Sequence, residues 1–115
     1  MREIKFRAFD DGKMLYSHNN ITNSSKFQNK WFFEKIREDA IVMQYTGLKD
    51  DEGREIYEGD ILSAFYPFMQ DNEDPKTLKI SFNSGVFWAG YHALKDAMNS
   101  KVIGNIYENP ELLTK

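Results

Sequence analysis

The residues able to do chemistry are few. Histidine occurs twice, at His18 and His92, and cysteine is absent. A thiolate nucleophile and a Cys-ligated zinc site are therefore excluded, and a histidine-based metal site would need carboxylates to complete it. His92 and Asp96 are four apart and would share a face if their segment were helical. Read that way, they form a solvated or capping pair rather than two metal ligands. Glu58 and Asp60 could in principle divide general acid and base work, but they flank Gly59 in a turn sequence. There an Asp side chain more often bonds nearby backbone. Asp50, Asp51 and Glu52 lack the spacing and the distant bidentate Glu of a calcium loop, and read as a solvated turn. The chain carries no nucleophile elbow, phosphate-binding loop or paired-glycine fingerprint. The expectation is a protein without catalytic residues, without a metal and without a cofactor.

Binding chemistry is better represented. Trp31, Phe32 and Phe33 are three adjacent bulky apolar residues, and one element cannot bury all three on a single face. A remainder left at the surface marks a partner surface, with aromatic rings as its anchors. A second copy of the chain is the simplest partner. Lys26, Lys30, Lys35 and Arg37 are interleaved with those rings, and such a patch could hold phosphates while bases stack on the aromatics. Nucleic acid is thus the alternative partner. The alternative reading is a nucleic-acid-associated β-barrel protein.

Charge is unevenly distributed along the sequence. Residues 1–37 hold eight Lys/Arg against four Asp/Glu, a net of +4. Residues 38–75 hold two against eleven, a net of −9, and residues 76–115 hold five against three, a net of +2. Opposed patches of this kind could steer head-to-tail association unless folding interleaves them.

The elements that must position these residues are short strands. Aromatic residues make up 15% of the 115-residue chain, which suits pleated, half-buried surfaces. Residues 2–9 alternate, with Ile4, Phe6 and Ala8 on one face and Glu3, Lys5 and Arg7 on the other. Asp10 to Lys13 supplies a turn, and Met14 to Tyr16 returns. Residues 18–25 read as a loop and 27–37 as irregular or a short helix. Strands are expected over 40–46, 56–57, 61–65, 77–82, 86–91 and 102–107, the 77–91 pair joined by the turn Asn83-Ser84-Gly85. Residues 92–99 have the spacing of a two-turn helix. The pattern predicts one domain over residues 1–115, mainly β: a compact antiparallel barrel or roll, with an SH3-like barrel element allowed by the Glu58–Leu62 phrase, and one or two short helices. No apolar run approaches the ~20 residues of a membrane helix. With no apolar stretch behind the opening charges, a cytoplasmic protein that does not engage membranes is expected.

Three blocks point further. REIKFRAFD (2–10), MQYTGLKDDEGREIYEGDIL (43–62) and VIGNIYENPELL (102–113), together about a third of the chain, closely resemble the YopX family of phage and prophage proteins. The resemblance implies a mainly β fold, a phage or prophage gene whose product acts in the bacterial host cytoplasm, and a homo-oligomer. It brings no activity and no catalytic residues. Gln44, Tyr45, Thr46, Gly47, Tyr57, Gly59, Asp60, Gly104, Asn105, Tyr107, Asn109 and Pro110 match the family pattern, either as turn and packing residues or as the lining of a shared ligand groove. On this reading the chain is an accessory protein and a self-associating, protein-binding β module that engages a phage or host protein; the alternative is a nucleic-acid-associated β-barrel protein in phage DNA metabolism or regulation. Its candidate binding residues are Trp31, Phe32, Phe33, Tyr45, Tyr57, Asp60 and Tyr107.

Overall fold

The computed structural model describes residues 4–17, 32–34, 36–66 and 75–113. They are mainly β and fall into two compact units, residues 1–45 and 46–115.

In the first unit, β1 (Phe6–Asp10) and β2 (Lys13–Tyr16) form an antiparallel hairpin that closes on Asp10 opposite Lys13. Asp11 and Gly12 both take positive φ, 52° and 77°, as a tight two-residue turn between twisted strands requires. On its other edge β1 pairs with the start of β3 (Ile41–Lys49), from Phe6 opposite Gln44 to Phe9 opposite Ile41. The expected two-faced alternation fails here. Arg7 is buried and Ile4 is exposed, because both faces of the short β1 are partly covered and Ile4 lies beyond the strand's end. Phe32 to Glu34 form one helical turn, with the Ile36 N–H donating to Phe32 O at 3.2 Å.

The second unit contains the rest of β3, β4 (Glu55–Tyr57) beside it, and a five-stranded antiparallel sheet. That sheet has the order β8-β7-β6-β5-β9, built from β5 (Asp60–Phe65), β6 (Lys76–Asn83), β7 (Val86–Ala89), β8 (His92–Ala93) and β9 (Met98–Asn105). The β5–β9 register shifts twice, between Ile61 and Leu62 and between Ser63 and Phe65. Such irregularities bend a strand, and they help curl this sheet into a half-barrel. Its core holds Ile56, Leu62, Tyr66, Ile80, Ala89 and Leu94, with Leu78, Phe87 and Val102 packed against them. Each large apolar side chain buried there contributes about 1.5–3 kcal/mol.

The helix expected over 92–99 is replaced by β8, a single 3₁₀ turn (Leu94–Asp96) and the start of β9. Ala93 and Ala97 are both extended, with ψ of 134° and 141°, and Ala93 pairs with Trp88. Strand pairing thus outweighs a local helical pattern too short to stand alone. A second 3₁₀ turn covers Pro110–Leu113.

Candidate interaction surface and hydrogen-bonded corners

Of the aromatic triplet, Trp31 lies outside the described residues, as do Lys26, Lys30 and Lys35 of the candidate cationic patch. Phe32 is 1% exposed and belongs to the core, whereas Phe33 is 44% exposed. Phe33 is held edge-on by two rings, with Phe6 at 5.1 Å and Phe32 at 5.3 Å between centroids. Edge-to-face pairs favour one orientation by about 0.5–1.5 kcal/mol each, so the exposed ring is presented rather than free to turn. Ile4, Leu15, Ile41 and Val42 of the same unit are also exposed.

Arg37 is engaged locally. Its N–H donates to Asp10 Oδ2 at 3.2 Å, and its Nε lies 3.2 Å from Asp39 Oδ1 and 3.9 Å from Asp10 Oδ1. Lys5 stands 5.4 Å over the Tyr45 ring, itself buried. A cation over an aromatic face is favourable by about 0.5–1 kcal/mol when exposed.

In the second unit the motif residues build corners. Thr46 Oγ1 donates to Ile56 O at 2.7 Å and accepts the Leu48 N–H at 3.2 Å, while Gly47 turns the chain at φ 86°. The buried Asp60 accepts the Tyr57 N–H at 2.8 Å, and Tyr57 is itself buried. Gly59, between them, accepts from Ile106 N–H and donates to Ile80 O, both at 2.9 Å. At the end of β9, Asn105 Oδ1 accepts the N–H groups of Tyr107 (3.0 Å) and Glu108 (2.8 Å), and Asn109 Oδ1 accepts the Asn105 N–H at 3.2 Å. Tyr107 is half-buried. These polar side chains direct the hydrogen bonds just named to the chain's own backbone, and so fix where strands begin and end.

Two buried polar residues carry no sequence signal of their importance. Asp50 is 6% exposed, a correction to its reading as part of a solvated turn. One oxygen accepts the N–H groups of Glu52 (2.9 Å) and Arg54 (2.8 Å), and the other accepts that of Val102 (2.8 Å). Burial disfavours its charge, but those three donors and the nearby Arg54 guanidinium prevail and hold the carboxyl below its ordinary value. Asp51 and Glu52 do face solvent. Tyr66 is 1% exposed and its hydroxyl donates to Ala89 O at 2.8 Å. Burial, with the Asp96 charge, pushes its pKa up to about 12. His92 packs its ring 4.9 Å from that of Tyr66. No helix joins it to Asp96, and among the described residues no cluster of three or more His, Asp or Glu could hold a metal.

An open cleft of about 290 Å³ lies elsewhere in this unit, lined by Leu48, Gly85, Val86, Phe87, Ala93, Leu94 and Lys95. None of the candidate binding residues among the described ones is part of that lining. Lys101 and Glu52 form a surface ion pair at 3.6 Å, so part of the acidic middle of the sequence is met by the basic end. Among the described residues, no helix is long and apolar enough to cross a membrane.

Fold and corners together define a mainly β protein of antiparallel sheets whose family-matching polar residues secure turns. The family model described as YopX protein matches residues 5–114, and the chain belongs to that family. A crystal structure of protein EF1440 from Enterococcus faecalis is similar at 28% identity and a TM-score of 0.66, over 98% of this chain and 99% of that one. The crystal structure of protein yopX from Bacillus subtilis shares the fold at 20% identity and a TM-score of 0.59, over 95% of this chain and 97% of that one. No curated protein matches the chain.

Proposed function

We propose that this chain is a non-enzymatic, self-associating binding module, a phage or prophage accessory protein acting in the host cytoplasm on a phage or host protein. The observation that carries the binding role is Phe33. It is a large ring left nearly half in water yet fixed by Phe6 and Phe32, in a unit that also exposes Ile4, Ile41 and Val42. Ordered aromatic anchors amid apolar surface suit protein partners, since little side-chain freedom is lost on contact. The phage setting rests on the family resemblance. The corners at Thr46, Asp60 and Asn105 support a binding scaffold, because the hydrogen bonds described there hold turns in place.

The nucleic-acid alternative loses support at Arg37, whose charge is met by Asp10 and Asp39. Analytical ultracentrifugation of the wild type and Phe33→Ser tests the main reading. The expected result is a concentration-dependent oligomer that Phe33→Ser weakens by about thirtyfold, the loss of one interface anchor worth ~2 kcal/mol. A wild type that stays monomeric at every concentration, or a Phe33→Ser variant that assembles as well as wild type, would refute it.

A further inference from the structure

The outer edge of β9 is closed by the turn joining β3 to β4. We infer that this turn is a latch over a strand-pairing edge, and that a second copy of the chain takes the edge when the latch opens.

β9 is the last strand of its sheet and pairs there with β5. Ser100 and Val102 are two residues apart, so in a strand their backbone groups point to the same side. At that edge the Asp51 N–H donates to Ser100 O at 3.0 Å. The Val102 N–H donates to Asp50 Oδ2 at 2.8 Å, and Arg54 Nη1 donates to Val102 O at 2.8 Å. An added strand would bring one acceptor and two donors to these positions. Here a carboxylate, a backbone amide and a guanidinium supply them instead. Unpaired edge groups template pairing with another chain, and covering them with a loop suppresses it.

The latch is fastened unevenly. Asp50 Oδ1 shapes the turn through the Glu52 and Arg54 N–H groups, while Oδ2 alone of the carboxylate holds β9. The flanking Lys101–Glu52 pair has side chains 56% and 49% exposed, and the Arg54 bond to Val102 is exposed as well. Exposed ion pairs contribute at most about 1 kcal/mol, so the hold on β9 rests mainly on Asp50 Oδ2 and the Asp51 N–H.

The occupant that fits is an antiparallel β9 from a second copy. A two-fold axis at Val102 sets Val102 against its own copy, so that the N–H and C=O of one Val102 meet the C=O and N–H of the other. Lys101 is thereby kept from facing itself, as like charges directly opposed would destabilise the pair. The same edge is used on both sides, so the assembly closes as a dimer. This contact shares no residue with the proposed Phe33 surface.

Asp50→Asn is the discriminating variant. Its amide oxygen can keep the Glu52 and Arg54 N–H groups, which leaves Nδ2 facing the Val102 N–H, donor against donor. We expect the Val102 amide to exchange with solvent at least about tenfold faster than wild type in dilute solution. As concentration rises, that amide should become protected again while the sedimenting mass increases beyond that of wild type. The same rise in a Phe33→Ser background would show that it does not depend on the proposed aromatic surface. Mass curves that superimpose on wild type, or association that leaves the Val102 amide unprotected, would overturn the latch. If Asp50→Asn fails to fold, Arg54→Ala removes the cover from Val102 O and leaves Asp50 in place. It should shift mass and exchange in the same directions by less, and no shift would equally overturn the inference.

Discussion

Gly104→Ala tests whether the family-matching residues at the end of β9 are a structural corner or the wall of a ligand groove. A Cβ at 104 would lie 2.6 Å from Asn109 Oδ1, 2.9 Å from Asn109 Cβ and 2.8 Å from Leu112 Cδ1. The φ of Gly104 is not in the left-handed region, so the penalty is steric rather than conformational. Leu112 can turn its tip aside, but Asn109 is tied down. Its N–H donates to Asn105 O at 2.8 Å, its Oδ1 accepts the Asn105 N–H at 3.2 Å, and its carbonyl accepts the Leu112 N–H at 3.1 Å. Overpacking of this kind costs about 1–3 kcal/mol, and displacing Asn109 forfeits a further bond worth about 1 kcal/mol. The expected destabilisation is therefore about 2–4 kcal/mol, read as a lower urea midpoint at unchanged slope. In an Asn109→Gly background the added methyl meets Leu112 alone, and the cost of Gly104→Ala should fall by at least about 1 kcal/mol, a coupling seen between residues in contact. A Gly104→Ala protein within about 0.5 kcal/mol of wild type, or strictly additive single variants, would refute the corner.

Tyr66→Phe should lose about 1–2 kcal/mol near neutrality, because Ala89 O gives up a buried donor. Since burial raises the folded-state pKa of Tyr66 from 10.0 to about 12, its contribution is complete below pH 10 and is lost as pH climbs toward 12. Alkaline unfolding followed by circular dichroism should show that loss in wild type and not in Tyr66→Phe; parallel curves would contradict it. Asp50 works in the opposite direction. Its folded-state pKa is depressed below 3.8, so its contribution is present above that value and disappears as pH falls through the folded-state pKa. Acid titration of Asp50→Ala should accordingly flatten the low-pH limb relative to wild type, and an unchanged limb would mean the carboxylate is not what holds the turn to β9.

The legible parts of the fold were those written locally. Asp11-Gly12 and Ser84-Gly85 are pairs that tolerate positive φ, and both close hairpins where the sequence predicts them. Alternation in Lys76–Asn83 marks a strand because Leu78 and Ile80 meet one core. The helix expected over 92–99 was not legible as strand, since Ala93 is committed by its pairing with Trp88 on the neighbouring strand, which the spacing of residues 92–99 does not encode. Nor did Arg7 reveal its burial, which depends on what covers β1 rather than on its neighbours in sequence.

By itself the sequence determined strand chemistry, turn positions and family, because period-two alternation and Gly/Asp turns are properties of adjacent residues. Tertiary structure decided which polar and aromatic groups matter. It buried Phe32 and left Phe33 at the surface, and it brought Asp50 to Val102 across fifty-two positions. A carboxylate's solvation and a ring's exposure are set by whatever the chain folds against them, and that information is spread over the whole sequence rather than held at the residue itself.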